Sequence, residues 1–225
     1  MTTCNSPQIV WDPPQPRPGM AGWLDRFVGP GATAAELLWQ VGAAFAAAFA
    51  VPAYAIVSGL NWSTLQLAVA GLIAMDLVGG VATNATAAGQ RWYHRSGQGV
   101  PQHLAFAAIH IVQLLLVGWF FRSGDWIFVG VFYAYLMLAV TVVCLSALYL
   151  QRPIAMILVV GAVFLNHFAF TSAAGMEWFV PVYFVKLLIS HLLKEAPYSN
   201  RQVLSLTAAA NQTLNPSGNG ARDSV

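Results

Sequence analysis

Six apolar segments, near 34–57, 64–88, 103–121, 126–150, 153–172 and 177–194, follow one another in this 225-residue chain with only short polar or Pro/Gly breaks between them. A helix needs about 20 apolar residues to cross a hydrocarbon core about 30 Å thick, and these segments match that length. Lipid offers no water to backbone N–H and C=O groups, so segments that cross it must satisfy those groups internally. The expected fold class is therefore all-α, a polytopic integral membrane bundle of six transmembrane helices, with seven as the alternative count. Composition agrees: 58% of residues are hydrophobic and 8% charged, against about 45–50% and about 25% in soluble domains.

Three regions follow. Residues 1–33 hold Pro7, Pro13, Pro14, Pro16, Pro18 and Pro30 with little apolar periodicity, and read as a partly extended tail. Trp11, Trp23 and Phe27 would rest that tail on the bilayer, and its prolines are a candidate contact for a protein partner. Residues 34–196 form the transmembrane domain and 197–225 a polar tail. Cys4 and Cys144, one in the tail and one in a span, give no disulfide framework. No cleavable signal pattern opens the chain, so the first span is expected to act as its own insertion signal. Basic residues are scattered at segment ends rather than clustered, which leaves no footprint for nucleic acid.

Lysine and arginine stay on the cytoplasmic side of short loops. With six spans and both termini cytoplasmic, Arg17, Arg26, Arg91, Arg95, Arg152, Lys194, Arg201 and Arg222 fall inside and Arg122 alone outside. Trp62, Trp119, Trp126 and Trp178 then lie at the outer interface, and Trp39 and Trp92 toward the inner one, as aromatic belts require.

The polar residues inside the spans carry what chemistry the chain has. Asp76 lies roughly 13 Å from the cytoplasmic end of span 2, where a carboxylate costs at least about 2.5–3.5 kcal/mol and is functional by default. Steps of three or four lead from it to Gly80, Thr83, Asn84, Ala87 and Arg91, so one face is polar or small and must look into the bundle. The plain role for Gly79 and Gly80 is close helix packing. On span 3, His103, His110 and Gln113 share a face, and His110 sits at nearly the depth of Asp76. Span 6 adds Lys186 near mid-depth and His191 near the cytoplasmic end. A mid-membrane lysine is usually paired, and Asp76 is the one acid deep enough to neutralise it. The loop Arg91-Trp92-Tyr93-His94-Arg95 reads as an interfacial anchor, with Arg91 and His94 placed to meet an anionic head group. Asn166 and His167 read as interhelical hydrogen-bonding groups, and Thr33-Ala-Ala-Glu36 is a capping box that opens span 1.

Five histidines are too few for histidine-box diiron chemistry, and Asp76 stands outside any aspartate-rich Mg²⁺ motif. Haem ligation would want two histidines on each of two helices. H-E-x-x-H, G-x-S-x-G and Walker patterns are missing. What remains is a membrane enzyme acting on a hydrophobic, lipid or isoprenoid-like substrate in the cytoplasmic half. Asp76, His110, His103 and Lys186 are its candidate catalytic groups, and Asn84, Arg91, Tyr93, His94 and His191 line its substrate. A protonated Asp76 would act as a Brønsted acid in cyclisation, or three of His94, His103, His110 and His191 would hold a Zn²⁺ for hydrolysis. The other classes are a proton-coupled carrier, disfavoured because no pair of interrupted helices is legible, and a structural subunit in which Asp76 and Lys186 only pair.

Overall fold

The structure, a computed structural model, describes residues 11–171 and 173–197. Cys4, Arg201, Arg222 and the 198–225 tail lie outside the described residues. Every regular element among the described residues is helical: α1 Gly19–Val28, α2 Ala34–Val57, α3 Thr64–Ala85, α4 Ala87–Tyr93, α5 Val100–Ile109, α6 Ile111–Phe120, α7 Trp126–Leu145, α8 Leu148–Ala169, α9 Phe179–Phe184, and a π-helical run Val185–His191. Counting α5 and α6 as one bent helix, five are long and apolar enough to cross a membrane, and Phe179–His191 is a shorter apolar segment.

Local chemistry sets the starts. The Thr33 capping box forms as its spacing predicts, with Thr33 N–H donating to Glu36 Oε2 at 2.8 Å and Glu36 N–H to Thr33 Oγ1 at 3.2 Å. Ser63 and Gln66 open α3 in the same way, and Asp125 accepts from Phe128 N–H at 2.9 Å to cap α7.

Several boundaries differ from those read in the sequence. The tail is not extended throughout: α1 is an amphipathic helix, because Met20, Trp23, Leu24 and Phe27 recur at helical spacing and form an exposed apolar stripe. Its other side is docked by Arg17, whose backbone and guanidinium hydrogen bonds hold the Asp25 carboxyl at about 2. Span 2 ends at Ala85, since Thr86 turns extended and accepts from Gly89 N–H at 3.1 Å, which starts the separate helix α4. The break between spans 4 and 5 falls at Ser146–Ala147 rather than at 151–152, and Pro153 is accommodated inside α8. Span 6 is helical only over Phe179–His191, about 20 Å at an α-helical rise and so shorter than the hydrocarbon core.

Phe179–His191 is nonetheless the centre of the bundle. Tyr183, Phe184 and Leu188 are fully buried and pack with Phe128, Phe132 and Leu136 of α7. The chain here passes from one end of the bundle to the other. Gly175 lies against Leu60 and Trp62, whereas Glu195 N–H donates to Gln90 Oε1 at 3.0 Å. The outer faces are the reverse of a soluble surface: Phe49, Val57, Ile127 and Phe168 are each more than 70% exposed. An apolar shell of that extent requires lipid around it. With lipid outside, the helices associate through close packing rather than hydrophobic burial. On α2 and α3 this is done with small residues: a Cβ on Gly79 would lie 2.8 Å from Ala44 Cβ.

Candidate functional site

Lys186 reaches Asp76 across the bundle, Nζ to Oδ2 2.8 Å. Gln113, from α6, donates Nε2–H to the same Oδ2 at 2.8 Å. The Lys186 side chain is 3% exposed and that of Asp76 is 42% exposed. One partner is sealed in the core while the other is reachable.

Gly80 makes this crossing possible. A Cβ at Gly80 would sit 2.3 Å from Lys186 Cε, so its role is to pass the lysine stem rather than to bring two helices together. Gly79 alone keeps the packing role expected of both.

What reaches Asp76 is an apolar groove of about 180 Å³ between α1, α2 and α3, lined by Phe27, Val28, Gln40, Val41, Ala44, Phe45, Met75, Asp76, Gly79, Gly80 and Thr83. It opens on the lipid-facing side, where Val41 and Phe45 are about half exposed.

His110 does not bond Asp76. Its Nδ1–H donates to Phe106 carbonyl oxygen at 2.6 Å, and the backbone departs from α-helical form at this residue, His110 N–H reaching back to Ala107. Tyr183 Oη–H donates to the His110 carbonyl at 2.9 Å, which satisfies a group the bend releases. Span 3 is therefore bent at the depth of the ion pair.

His94, His103 and His191 gather one layer closer to the basic end. His103 Nδ1 and His191 Nε2 are 3.1 Å apart, His94 lies 5.2 Å from His103 between ring centroids, and Phe106 stacks on His191 at 3.7 Å. The π-helical run is what sets His191 there. In an α-helix residues five apart lie about 140° apart around the axis, whereas π-type hydrogen bonding brings i and i+5 toward one face. Lys186 and His191 thus both point into the site. Burial, then the neighbouring His103 and Lys194, pushes His94 down to about 4, so its ring is neutral at physiological pH.

Among the described residues, no three His, Cys, Asp or Glu side chains are arranged to hold a metal ion. His103 and His191 face each other and share one hydrogen, so the zinc alternative finds no ligand set in this geometry. The Asn84 backbone carbonyl accepts from Gln90 Nε2–H at 2.9 Å, and its side-chain Nδ2 is buried without a partner among the described residues. Tyr93 donates to the Phe27 carbonyl at 3.0 Å, fastening α4 to α1. Arg91 makes no side-chain hydrogen bond or ion pair among the described residues.

Buried polar atoms are paired in nearly all native structures, and each exception asks for an explanation. Among the described residues the exceptions are Gln40 Oε1, Asn84 Nδ2, His94 Nε2, Gln113 Oε1 and His191 Nδ1. All belong to this region. Sequence reading overlooked Gln40, Gln90 and Tyr183 as members of it. The signal available was a lone amide in an otherwise apolar span, at Gln40 one turn after Glu36.

The fold and this polar interior define a helical membrane protein. Comparison with protein-family models, with curated proteins and with solved structures finds no match.

Proposed function

We propose that the protein is a membrane-embedded isomerase or cyclase that moves a proton at Asp76 on a hydrophobic, isoprenoid-like lipid. The observation that carries this reading is an ion pair with one sealed and one reachable partner, its carboxylate opening on an apolar groove at the lipid face. Deep ionisable groups of this kind are functional by default.

The step balances without a co-reactant. The Lys186 ammonium proton crosses the 2.8 Å hydrogen bond to Asp76, and a substrate alkene takes it to form a carbocation. That cation closes on a second alkene, and the ring sheds a proton from an adjacent carbon back to the carboxylate, which returns it to Lys186. One C–C bond forms, one C=C bond is lost, and the product is an isomer of the substrate. Gln113 orients the carboxylate, and the His94, His103 and His191 cluster lies between the pair and the basic end.

The test works with a mixture of lipids. Protein in lipid nanodiscs is incubated in D₂O with a neutral-lipid extract of the host membrane, and lipids are weighed by mass spectrometry. One lipid class should gain carbon-bound deuterium with wild type and not with Asp76→Asn. Identical spectra for the two proteins overturn the enzyme reading.

A second reading, a proton-coupled carrier, is favoured by the interruptions at Thr86, at His110 and in the π-helical run, since broken helices around a mid-depth charge are how carriers bind. It predicts proton uptake into proteoliposomes that depends on Asp76, in place of deuterium in lipid.

Six spans with both termini cytoplasmic complete the proposal. The basic end holds Arg17, Arg26, Arg91, Arg95, Arg152 and Lys194, the opposite end Arg122. Single cysteines at Asn61 and Ser123 should react with an impermeant maleimide from outside and one at Ser96 should not. Labelling of Ser96 alone reverses the orientation.

A further inference from the structure

We infer that the groove beside Asp76 takes the last part of an isoprenoid chain, sideways from the bilayer, and brings its terminal double bond to the carboxylate while the head group stays outside in the leaflet. The substrate is then selected by its tail, whatever head it carries. This rests on the reading of Asp76 as the proton-transferring group, and adds to it which part of the lipid that group meets.

The lining excludes a head group. Among the described residues no lysine, arginine or histidine lines the groove, and Asp76 is its one charged member. A phosphate or diphosphate is held by Arg or Lys, and here it would meet a carboxylate instead. The two neutral polar residues of the lining are covered, Gln40 being 2% and Thr83 5% exposed. A neutral head group would thus give up its hydrogen bonds to water and find Asp76 as its one exposed partner, in the place the alkene needs. Val41, Ala44, Phe45 and Met75 offer only hydrocarbon contact.

Depth selects the chain end. Asp76 follows the start of α3 at Thr64 by twelve residues and precedes its end at Ala85 by nine, about 18 Å and 14 Å at the helical rise. It therefore lies near the centre of a hydrocarbon core about 30 Å thick, where lipid chains end. On α3 the lining runs from Met75 and Asp76 to Thr83, so Asp76 stands at its mid-membrane end. The end toward the interface, about 10 Å away by the same rise, is shut by Val28 of α1, which is buried and whose carbonyl accepts from Gln40 at 3.1 Å. Val41 and Phe45, about half exposed, leave the way in from the side.

The chemistry selects the kind of chain. Protonating the trisubstituted double bond of an isoprene unit gives a tertiary cation, whereas the disubstituted double bond of an unsaturated acyl chain gives a far less stable secondary one. The proton from Asp76 forms one C–H bond, and the charge passes to the tertiary neighbour. Ring closure and loss of a proton then return the carboxylate to its starting state. Phe27 and Phe45 put aromatic rings in the wall, which favour a transient cation.

The experiment is photolabelling of the full chain in nanodiscs, read by tandem mass spectrometry of the labelled peptides. The probes share a four-isoprene chain and differ in head: the alcohol, its methyl ether and its monophosphate. Each is made with a diazirine at the tail end and again beside the head. Tail-end diazirines should label stretches 41–45 and 75–80 equally for all three heads, and head-end diazirines should leave both unlabelled. Val41→Trp, which fills the groove from its lipid side, should lower tail-end labelling by about ten-fold or more. Ile157→Trp, on the exposed face of α8, should not. Labelling of these stretches that depends on the head, comes from the head-end diazirine or ignores Val41→Trp overturns the inference. The Asp76→Asn, Lys186→Met protein should still be labelled, because binding does not need the proton. In D₂O the unmodified alcohol should gain deuterium in its terminal unit, and the analogue with that double bond reduced should gain none. Labelling as expected without Asp76-dependent deuterium removes the proposed reaction and leaves the tail site. Asp76-dependent deuterium in a unit next to the head removes this inference and leaves the reaction.

Discussion

Asp76→Asn is expected to destabilise the bundle by about 3–5 kcal/mol, because it leaves the ammonium of Lys186 in the core without its counter-charge. The penalty falls on the sealed partner, Lys186, rather than on the reachable one. Adding Lys186→Met removes the unpaired charge and should recover most of the loss, since the two residues act as a unit and their effects do not add. Thermal unfolding in detergent of the wild type, both single variants and the double variant measures this directly. Deuterium transfer to lipid should be absent from all three variants. A double variant that is stable and fully active would reduce the ion pair to a packing element and withdraw Asp76 from the chemistry.

Gly80→Val is expected to cost a similar amount, about 3–5 kcal/mol, although it changes no charge. Its Cβ would come 2.3 Å from Lys186 Cε and 3.0 Å from Nζ, so the lysine must leave its path and with it the carboxylate. Overpacking alone costs about 1–3 kcal/mol, and the remainder is the broken pair. The origin can be checked by a cycle. In an Asp76→Asn, Lys186→Ala background the obstructing stem is gone, and Gly80→Val should cost less than about 1 kcal/mol on the same cycle logic. An equal cost in both backgrounds would mean that the valine clashes with something other than the lysine.

Much of the fold was legible in the sequence because lipid imposes a strong local rule. A segment that crosses a bilayer must be long, apolar and helical, and the five long helices lie where such runs occur. The Glu36 capping box is also local, three residues wide, and forms as its spacing predicts. The Asp76–Lys186 pair is a long-range contact that follows by elimination: one deep acid and one deep lysine leave few alternatives. The elements that differ share a cause. The polar pair at 151–152 reads as a break yet lies with Pro153 inside α8, and α1 is obscured by the prolines around its amphipathic stripe.

The histidines illustrate the limit. Spacing alone places His103 and His110 on one face and in different layers, but shows neither that the helix bends at His110 nor that His103 meets His191 and His94. That bend is held by Tyr183 from a segment 73 residues away, and nothing near His110 in the chain announces it.

By itself the sequence determined that the chain is helical and belongs in a membrane, roughly where its helices run, and which few ionisable groups fall within its apolar runs. These properties are set by hydropathy and spacing over one or two turns. Tertiary structure alone decided that span 3 bends, that the last described segment winds as a π-helix setting Lys186 and His191 toward one site, that Asp76 faces a groove, and that Gln40 keeps a buried oxygen unpartnered. Each of those depends on which hydrogen-bonding groups meet across separate helices. In an apolar surrounding many packings satisfy the same hydropathy pattern, and only the one that pairs the polar groups across the bundle fixes the site.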